Sequence, residues 1–179
     1  MKNFLKAFTL FLTLSISNCR DFKLKEISPF EYTFIKKVNY NFVLDHEKKL
    51  QLEKEIEKIF SKKRKNLSLN DLIIASADLV ARQLEYDFIG FFEKRERSHF
   101  PLGKKITNCL DYSFLYVWIF NNLSKKAGLP YRAEGVYGNV RFFGHKITGH
   151  YWVRIIIKDK KIAEIDPILY DYFKILRVD

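Results

Sequence analysis

The sequence predicts an α+β domain, in which a long helix that carries a cysteine packs on an antiparallel sheet of three or more strands, after additional N-terminal helices. Apolar residues recur at helical spacing between Cys109 and Gly128, and two segments rich in β-branched and aromatic residues follow between 150 and 166. The 179 residues are 47% hydrophobic and 16% aromatic, which is typical of a folded globule. We therefore expect one domain with its own core.

The chain begins with the pattern of a secretory signal peptide, which we assign to residues 1–18. A basic start, 1–6, precedes an apolar stretch, 7–16, that is shorter than the roughly 20 residues of a membrane-spanning helix. The stretch ends at Cys19, and the arrangement resembles a bacterial lipoprotein signal. The resemblance implies an exported protein that is anchored to a membrane of the bacterial cell envelope through lipid on Cys19. Ordinary cleavage and an uncleaved anchor are the alternatives.

The rest of the chain divides into a short connection and the domain. We interpret 19–44 as a tether or linker and 45–179 as the domain, with its core in 68–172. Residues 45–60 alternate acids and bases around a few apolar positions, which predicts a basic amphipathic helix at the start of the domain.

The formal net charge is +11 at pH 7. A solvated charged face on the helix predicted for 45–60 accounts for much of it. Next to a lipid anchor, the same basic residues could also hold the domain against anionic lipids or attract an anionic cell-wall polymer. No recognition-helix or single-strand-binding motif accompanies the charge, which argues against nucleic acid as a partner.

Three segments complete the predicted domain around the cysteine helix. Residues 68–86 predict a second helix, with Ser68 as its N-cap, that packs beside the cysteine helix. Residues 88–105 predict a long loop that leads to the cysteine, where a lid could contact substrate. Residues 131–143 predict one or two irregular strands of the sheet.

Cys109 lies in the first turn of its predicted helix. Asn108 can serve as the N-cap, and Gly128 can adopt the left-handed conformation after the last turn. In a first turn, unsatisfied backbone N–H groups and the positive end of the helix dipole favour a thiolate, and the same N–H groups can bind an oxyanion.

The two β-rich segments predict an antiparallel hairpin. The register that pairs Arg154 with Glu164 makes one face apolar, and it places His150, Trp152 and Asp166 together on the other face. This register needs a three-residue loop in which Asp159 or Lys160 takes a left-handed conformation. The remaining pairs are Val153 with Ile165, Ile155 with Ala163, and Ile156 with Ile162.

Cys109, His150 and Asp166 together could build an activated thiol nucleophile. A thiol attacks as its thiolate, so it needs a base within hydrogen-bond reach and a third group that orients this base. His150 is predicted as the base and Asp166 as the orienting group. His145 is the rival base, but 142–146 is typical of a turn. Each of the three residues could instead have a purely structural role. A lone cysteine on a helix, for example, is often a small core residue.

These residues resemble the transglutaminase-like branch of the papain-like cysteine enzymes. The matching pieces follow the family's order over roughly 70–172: Cys109 at a helix start, 126–132 at the helix end, 149–153, and 165–167.

The resemblance implies that Cys109 is the nucleophile, His150 the base and Asp166 the orienting group. Enzymes of this family attack a carboxamide or peptide carbonyl, form a thioester, and pass the acyl group to an amine or to water. The resemblance thus implies a peptide or protein amide as substrate, with cell-wall peptide among the candidates, and no cofactor. The approach 104–108 lacks the glycine that often precedes this region in the family. This leaves the upstream oxyanion-hole residue open among Asn108, Tyr112 and Trp118.

Two alternatives compete with this enzyme. The chain could be a non-catalytic surface lipoprotein that uses the same fold as a binding scaffold, with the basic helix as its contact surface. Alternatively, Cys19 and Cys109, the two cysteines of the chain, could form a disulfide that removes the nucleophile. A zinc site is not indicated, because no short CxxC or HxxxH spacing is present.

Overall fold

The structure is a computed structural model, which describes residues 30–38, 44–62, 67–86, 105–142 and 145–173. The predicted signal peptide, Cys19 and most of the loop predicted for 88–105 lie outside these residues. In chain order the elements are β1 (Phe30–Val38), α1 (His46–Lys62), α2 (Leu69–Gln83), β2 (Leu84–Tyr86), β3 (Lys105–Thr107), α3 (Cys109–Lys126), β4 (Arg132–Phe142), β5 (His145–Ile157), β6 (Lys160–Ile165) and α4 (Pro167–Phe173).

The fold is α+β, as predicted. Four antiparallel strands form one sheet in the order β1-β4-β5-β6, and β2 and β3 form a small parallel pair. Helix α3 contacts α2 on one side and strands β4 and β5 on the other. The cysteine helix therefore lies between a second helix and the sheet. Within the part of the chain that the structure describes, no helix combines the length and the apolar character needed to cross a membrane.

The core lies between α3 and one face of the sheet. The predicted apolar face of the hairpin is confirmed, because Val153, Ile155, Ala163 and Ile165 are all fully buried there. Amphipathic α1 is also confirmed. It buries Leu52, Ile56 and Lys48, whereas Leu50 stays exposed. The opposite face of the sheet is left for the polar residues of the hairpin.

Helix α2 begins with a capping box at Ser68. The Ser68 hydroxyl accepts from the Asp71 N–H at 3.2 Å, and the Asp71 carboxylate accepts from the Ser68 N–H at 3.0 Å. The N-cap prediction is confirmed, but the helix ends at Gln83 and not at residue 86. Leu84 turns to an extended conformation, and Leu84–Tyr86 pairs with Lys105–Thr107 just before the cysteine helix. This pairing outweighs the helical propensity of the last three residues.

Part of the predicted tether is a strand. Residues 30–38 form β1, an edge strand that pairs with β4 in antiparallel register, with Tyr32 opposite Val140 and Phe34 opposite Gly138. The assignment of this segment to a linker is wrong, because alternate aromatic residues can lie on one face of a sheet even when exposed lysines follow. One of those lysines, Lys37, forms an ion pair of 2.8 Å with Glu134 on β4.

The hairpin register near the site is confirmed, and its turn differs from the prediction. Val153 pairs with Ile165, Arg154 with Glu164, and Ile155 with Ala163. Ile156 pairs with Lys161 and not with Ile162, because a bulge shifts the register there. Lys158 and Asp159 both have positive φ, 46° and 62°, so the turn has two residues, and this type follows the twist of the strands better than the predicted three-residue loop.

Candidate active site

Cys109 is the first residue of α3, as predicted. The Asn108 side-chain oxygen accepts from the N–H groups of Leu110 at 3.0 Å and Asp111 at 3.3 Å, and the Asn108 carbonyl accepts from Tyr112 N–H. The cap therefore engages the amides that follow Cys109 and not the N–H of Cys109 itself. The thiol is free and 6% exposed. At the other end of the helix, Gly128 has a φ of 67°, which confirms the predicted left-handed stop.

His150 and Asp166 meet across the hairpin. The distance from His150 Nε2 to Asp166 Oδ2 is 2.6 Å, and the two side chains are 13% and 4% exposed. The diagonal contact that the predicted register requires is therefore present. Gly149, directly before the histidine, has a φ of 31°, and a side chain on it would collide with the Tyr137 hydroxyl. Glycine at this position lets the strand deliver His150 to the carboxylate.

Cys109 lies close enough to the same histidine to influence its pKa. Burial by itself would lower the pKa of His150, but the charge and hydrogen bond of Asp166, with smaller contributions from Cys109, raise it from 6.5 to about 10. Since Asp166 occupies Nε2, Nδ1 is the ring nitrogen left for the thiol. The structure thus brings together all three predicted site residues.

The rival base, His145, is the first residue of β5 and pairs with Phe142. Its side chain lies outside the described part of the structure. It lies five positions before His150 on the strand, about 16 Å at the usual rise of an extended chain.

Asp166 receives three hydrogen bonds. Oδ2 accepts from His150 and from the Tyr32 hydroxyl, which is 2.7 Å away, while Oδ1 accepts from the Ile168 N–H at 3.0 Å. Burial would raise the pKa of the Asp166 carboxyl, but the charge of His150 and these hydrogen bonds lower it below 3.8. The Asp166 carbonyl also accepts from Tyr170 N–H at the start of α4, so the residue is fixed by both its backbone and its side chain.

Tyr32 is the site residue that sequence reasoning missed. Its ring meets Trp152 edge-on, with centroids 5.1 Å apart and an interplanar angle of 68°, and Trp152 stacks on His150 at 6.3 Å and 14°. The register placed Trp152 beside His150 correctly. The one sequence signal for Tyr32 was its place in an aromatic alternation with Phe34, and the assignment of this segment to a tether obscured it.

The three predicted candidates for an upstream oxyanion donor differ in their contacts and in their distance from Cys109. The Tyr112 hydroxyl donates to Asp171 on α4 at 2.8 Å, so it is already engaged. Trp118 lies nine residues along α3 from Cys109, which is about 13 Å of helix rise. Asn108 uses its side-chain oxygen as the helix cap, which leaves its NH₂ group as a donor. The backbone N–H of Cys109 and the side-chain NH₂ of Asn108 are therefore the remaining donors.

Two buried polar atoms beside these residues have no hydrogen-bond partner among the described residues, Ser113 Oγ and Trp152 Nε1. Ser113 lies one helical turn after Cys109, and Trp152 lies against His150. Unpaired buried donors are rare in folded proteins, and their position next to the thiol and the imidazole is consistent with a site built for chemistry.

Within the described ranges, no three His, Cys, Asp or Glu side chains are grouped so that they could hold a metal ion. Comparison of the chain with protein-family models, curated proteins and solved structures found no match in any of the three.

Proposed function

We propose that the chain is a cysteine-dependent enzyme of the transglutaminase-like kind, which cleaves or transfers an amide through a thioester. One observation carries the proposal: the Asp166 carboxylate binds His150 Nε2 at 2.6 Å, while Cys109 interacts with the same imidazole from the start of α3. A thiol, a base and a group that orients the base are the parts that a nucleophilic cysteine requires.

The fold supports the same family. Its members place the cysteine at the start of a helix that packs on an antiparallel sheet, with the histidine and the acidic residue following along the chain. Here α3 begins at Cys109, β5 supplies His150, and Asp166 follows β6 directly. The chain order and the element types both agree with this arrangement.

The pKa of His150 is raised to about 10, so at neutral pH its Nδ1 already carries a proton, and Cys109 reacts as the thiolate paired with this imidazolium. In the first half of the reaction, the thiolate attacks the carbonyl carbon of the amide, a C–S bond forms, and the electron pair of the C=O bond moves to the oxygen. The N–H of Cys109, at the positive end of α3, can hold this oxyanion. The intermediate then collapses, the C–N bond breaks, and the proton on Nδ1 passes to the departing amine.

In the second half, water or an amine approaches the thioester and gives a proton to Nδ1. Its lone pair forms the new bond to the carbonyl carbon, and the C–S bond breaks. Cys109 leaves as the thiolate and again pairs with the imidazolium. Throughout, Asp166 keeps Nε2 protonated, so that Nδ1 remains the nitrogen that exchanges protons.

We also propose that the enzyme is exported and anchored by lipid on Cys19, with a peptide or protein amide of the cell envelope as its substrate. The pattern of 1–18 supports export. Helix α1 exposes Lys49, Lys54 and Lys58 together with acidic residues, so its charged face is mixed in sign. Lipid on Cys19 is therefore the main attachment, and α1 adds a weak attraction to anionic surfaces.

Alkylation by iodoacetamide tests the nucleophile. At pH 7 we expect Cys109 to react at least about 10-fold faster in the wild-type protein than in a His150→Asn variant, because the imidazole activates the thiol. Mass spectrometry of the Cys109 peptide over time gives both rates. His46→Asn, on the exposed first residue of α1, is the matched control and should react like the wild type. Equal rates in wild type and His150→Asn would support the non-catalytic scaffold instead.

A further inference from the structure

Tyr32 reaches the site from a distant part of the sheet. It belongs to β1, which is separated from β5 and its His150 by the whole of β4. Even so, the Tyr32 hydroxyl lies 2.7 Å from Asp166 Oδ2, the oxygen that also holds His150 Nε2. The first described strand of the chain thus contacts the residue that follows the last strand of the sheet.

A glycine on β4 makes this contact sterically accessible. Gly138 pairs with Phe34 on one side and with His150 on the other. A side chain at this position would collide with the Thr33 carbonyl oxygen and with the Trp152 ring. Because Gly138 has none, β1 and Trp152 approach each other closely over β4. The edge-on packing of Tyr32 against Trp152 then directs the phenol to the carboxylate.

The phenol limits how the carboxylate can move. With Ile168 N–H on Oδ1 and two donors on Oδ2, a rotation of the Asp166 carboxylate would break hydrogen bonds on both oxygens. Without the phenol, Oδ2 would be held by the imidazole alone, which is itself the group that must be positioned. Tyr32 therefore supplies an anchor for Asp166 that is independent of His150.

We propose that Tyr32 is a positioning residue of the active site, whose hydroxyl holds Asp166 Oδ2 toward His150 Nε2. The inference rests on the proposed function, since it assigns a role within the same catalytic set. Tyr32 acts through Asp166, to which its hydroxyl donates. It also makes β1 a functional part of the domain.

The role has a measurable consequence in acid. Burial would raise the pKa of Asp166, but the charge and hydrogen bond of His150, followed by the hydrogen bonds from Tyr32 and Ile168, lower it. Among the described residues, the titratable groups that face this carboxylate and its histidine are Tyr32 from β1, Cys109 from α3 and the pair itself. Removing the phenol hydroxyl should therefore raise the pH at which Asp166 takes up a proton.

The test compares wild type with Tyr32→Phe, which keeps the ring and removes the hydroxyl. The rate of Cys109 alkylation is measured from pH 8 down to about pH 2.5, and the Asp166 carboxyl is titrated by ¹³C NMR over the same range. We expect the acid limb of the rate profile and the carboxyl titration to move up together by about one pH unit. On the acid side of the profile, a shift of one pH unit makes the alkylation rate of Tyr32→Phe roughly 10-fold lower than that of the wild type.

Tyr170→Phe is the matched control. It removes the same kind of bond, from the Tyr170 hydroxyl to Asp78 at 2.7 Å, between α4 and α2. Neither readout should change in this variant. An Asp166 titration in Tyr32→Phe that coincides with the wild type would overturn the role of Tyr32. If wild-type Cys109 reacts no faster than a simple thiol, the proposed function fails, and the carboxyl titration still decides the role of Tyr32.

Discussion

Cys109→Ala is expected to abolish acyl transfer. With amide peptides as donors and hydroxylamine as the acceptor, the wild-type protein should form hydroxamates, because the amine attacks the thioester whichever acceptor is natural. Without the sulfur no thioester can form, so we expect the rate to fall by at least about 10³-fold. Mass spectrometry should also detect an acyl adduct on the Cys109 peptide of the wild type.

The loss must be separated from unfolding. Cys109 is 6% exposed, so its truncation removes some packing, and we expect the free energy of unfolding to fall by only about 1 kcal/mol. Ser124→Ala is a control on the same helix, because Ser124 is buried at the far end of α3 and donates to the Tyr131 carbonyl. The Ser124→Ala variant should form hydroxamates at the wild-type rate. Hydroxamate formation by folded Cys109→Ala protein would remove the claim that the chain is a cysteine enzyme.

Asp166→Asn is expected to cause the second large loss of acyl-transfer activity. Three donors point at the carboxylate, and an amide offers only one acceptor oxygen, so at least one donor from Tyr32, His150 or Ile168 would face an NH₂ group. The imidazole also loses the charge that holds it in place. We expect the rate of acyl transfer to fall by roughly 10²–10⁴-fold.

The same substitution should change how stability depends on pH. The pKa of His150 is raised from 6.5 to about 10 by folding, so its contribution to stability is complete below about pH 6.5 and is lost as pH rises toward 10. The pKa of Asp166 is lowered from 3.8, so its contribution is present above that pH and is lost below it. Urea denaturation should therefore show the greatest destabilisation by Asp166→Asn, roughly 2–4 kcal/mol, between pH 4 and 6.5.

Asp171→Asn is the matched control for that variant. Asp171 accepts from the Tyr112 hydroxyl at 2.8 Å. It lies on α4 and is not one of the three proposed catalytic residues. It should keep both the rate of acyl transfer and the pH profile of the wild type. A uniform destabilisation by Asp166→Asn from pH 4 to 10 would mean that His150 and Asp166 do not form a charged pair.

The sequence predicted the parts of this fold that depend on local patterns. Helical periodicity with a cap and a glycine stop defined α3, and the charge pair Arg154–Glu164 selected a register whose three pairs nearest the site are confirmed. That register is why the sequence alone predicts His150 and Asp166 on the same face, close to each other. Their contact follows from side-chain alternation within one hairpin, which sequence records directly.

The features that the sequence did not reveal depend on distant contacts. Strand β1 exists because it pairs with β4, about 100 residues later in the chain, and its exposed lysines resemble those of a solvated linker. Tyr32 reaches Asp166 only because Gly138 lets two elements approach across that pairing. The turn at Lys158 and Asp159 differs for a related reason, since strand twist selected a two-residue loop despite the cost of positive φ.

The protonation state of His150 tests the central claim most directly, because a buried imidazole stays charged only if anionic partners surround it. It can be read by ¹⁵N NMR of histidine-labelled protein, with His150→Asn to identify the signal among the four histidines. We predict a cation protonated on both ring nitrogens at pH 8, which loses its proton near pH 10. A neutral ring at pH 8 that titrates near 6.5 would show that carboxylate, imidazole and sulfur do not act as one site.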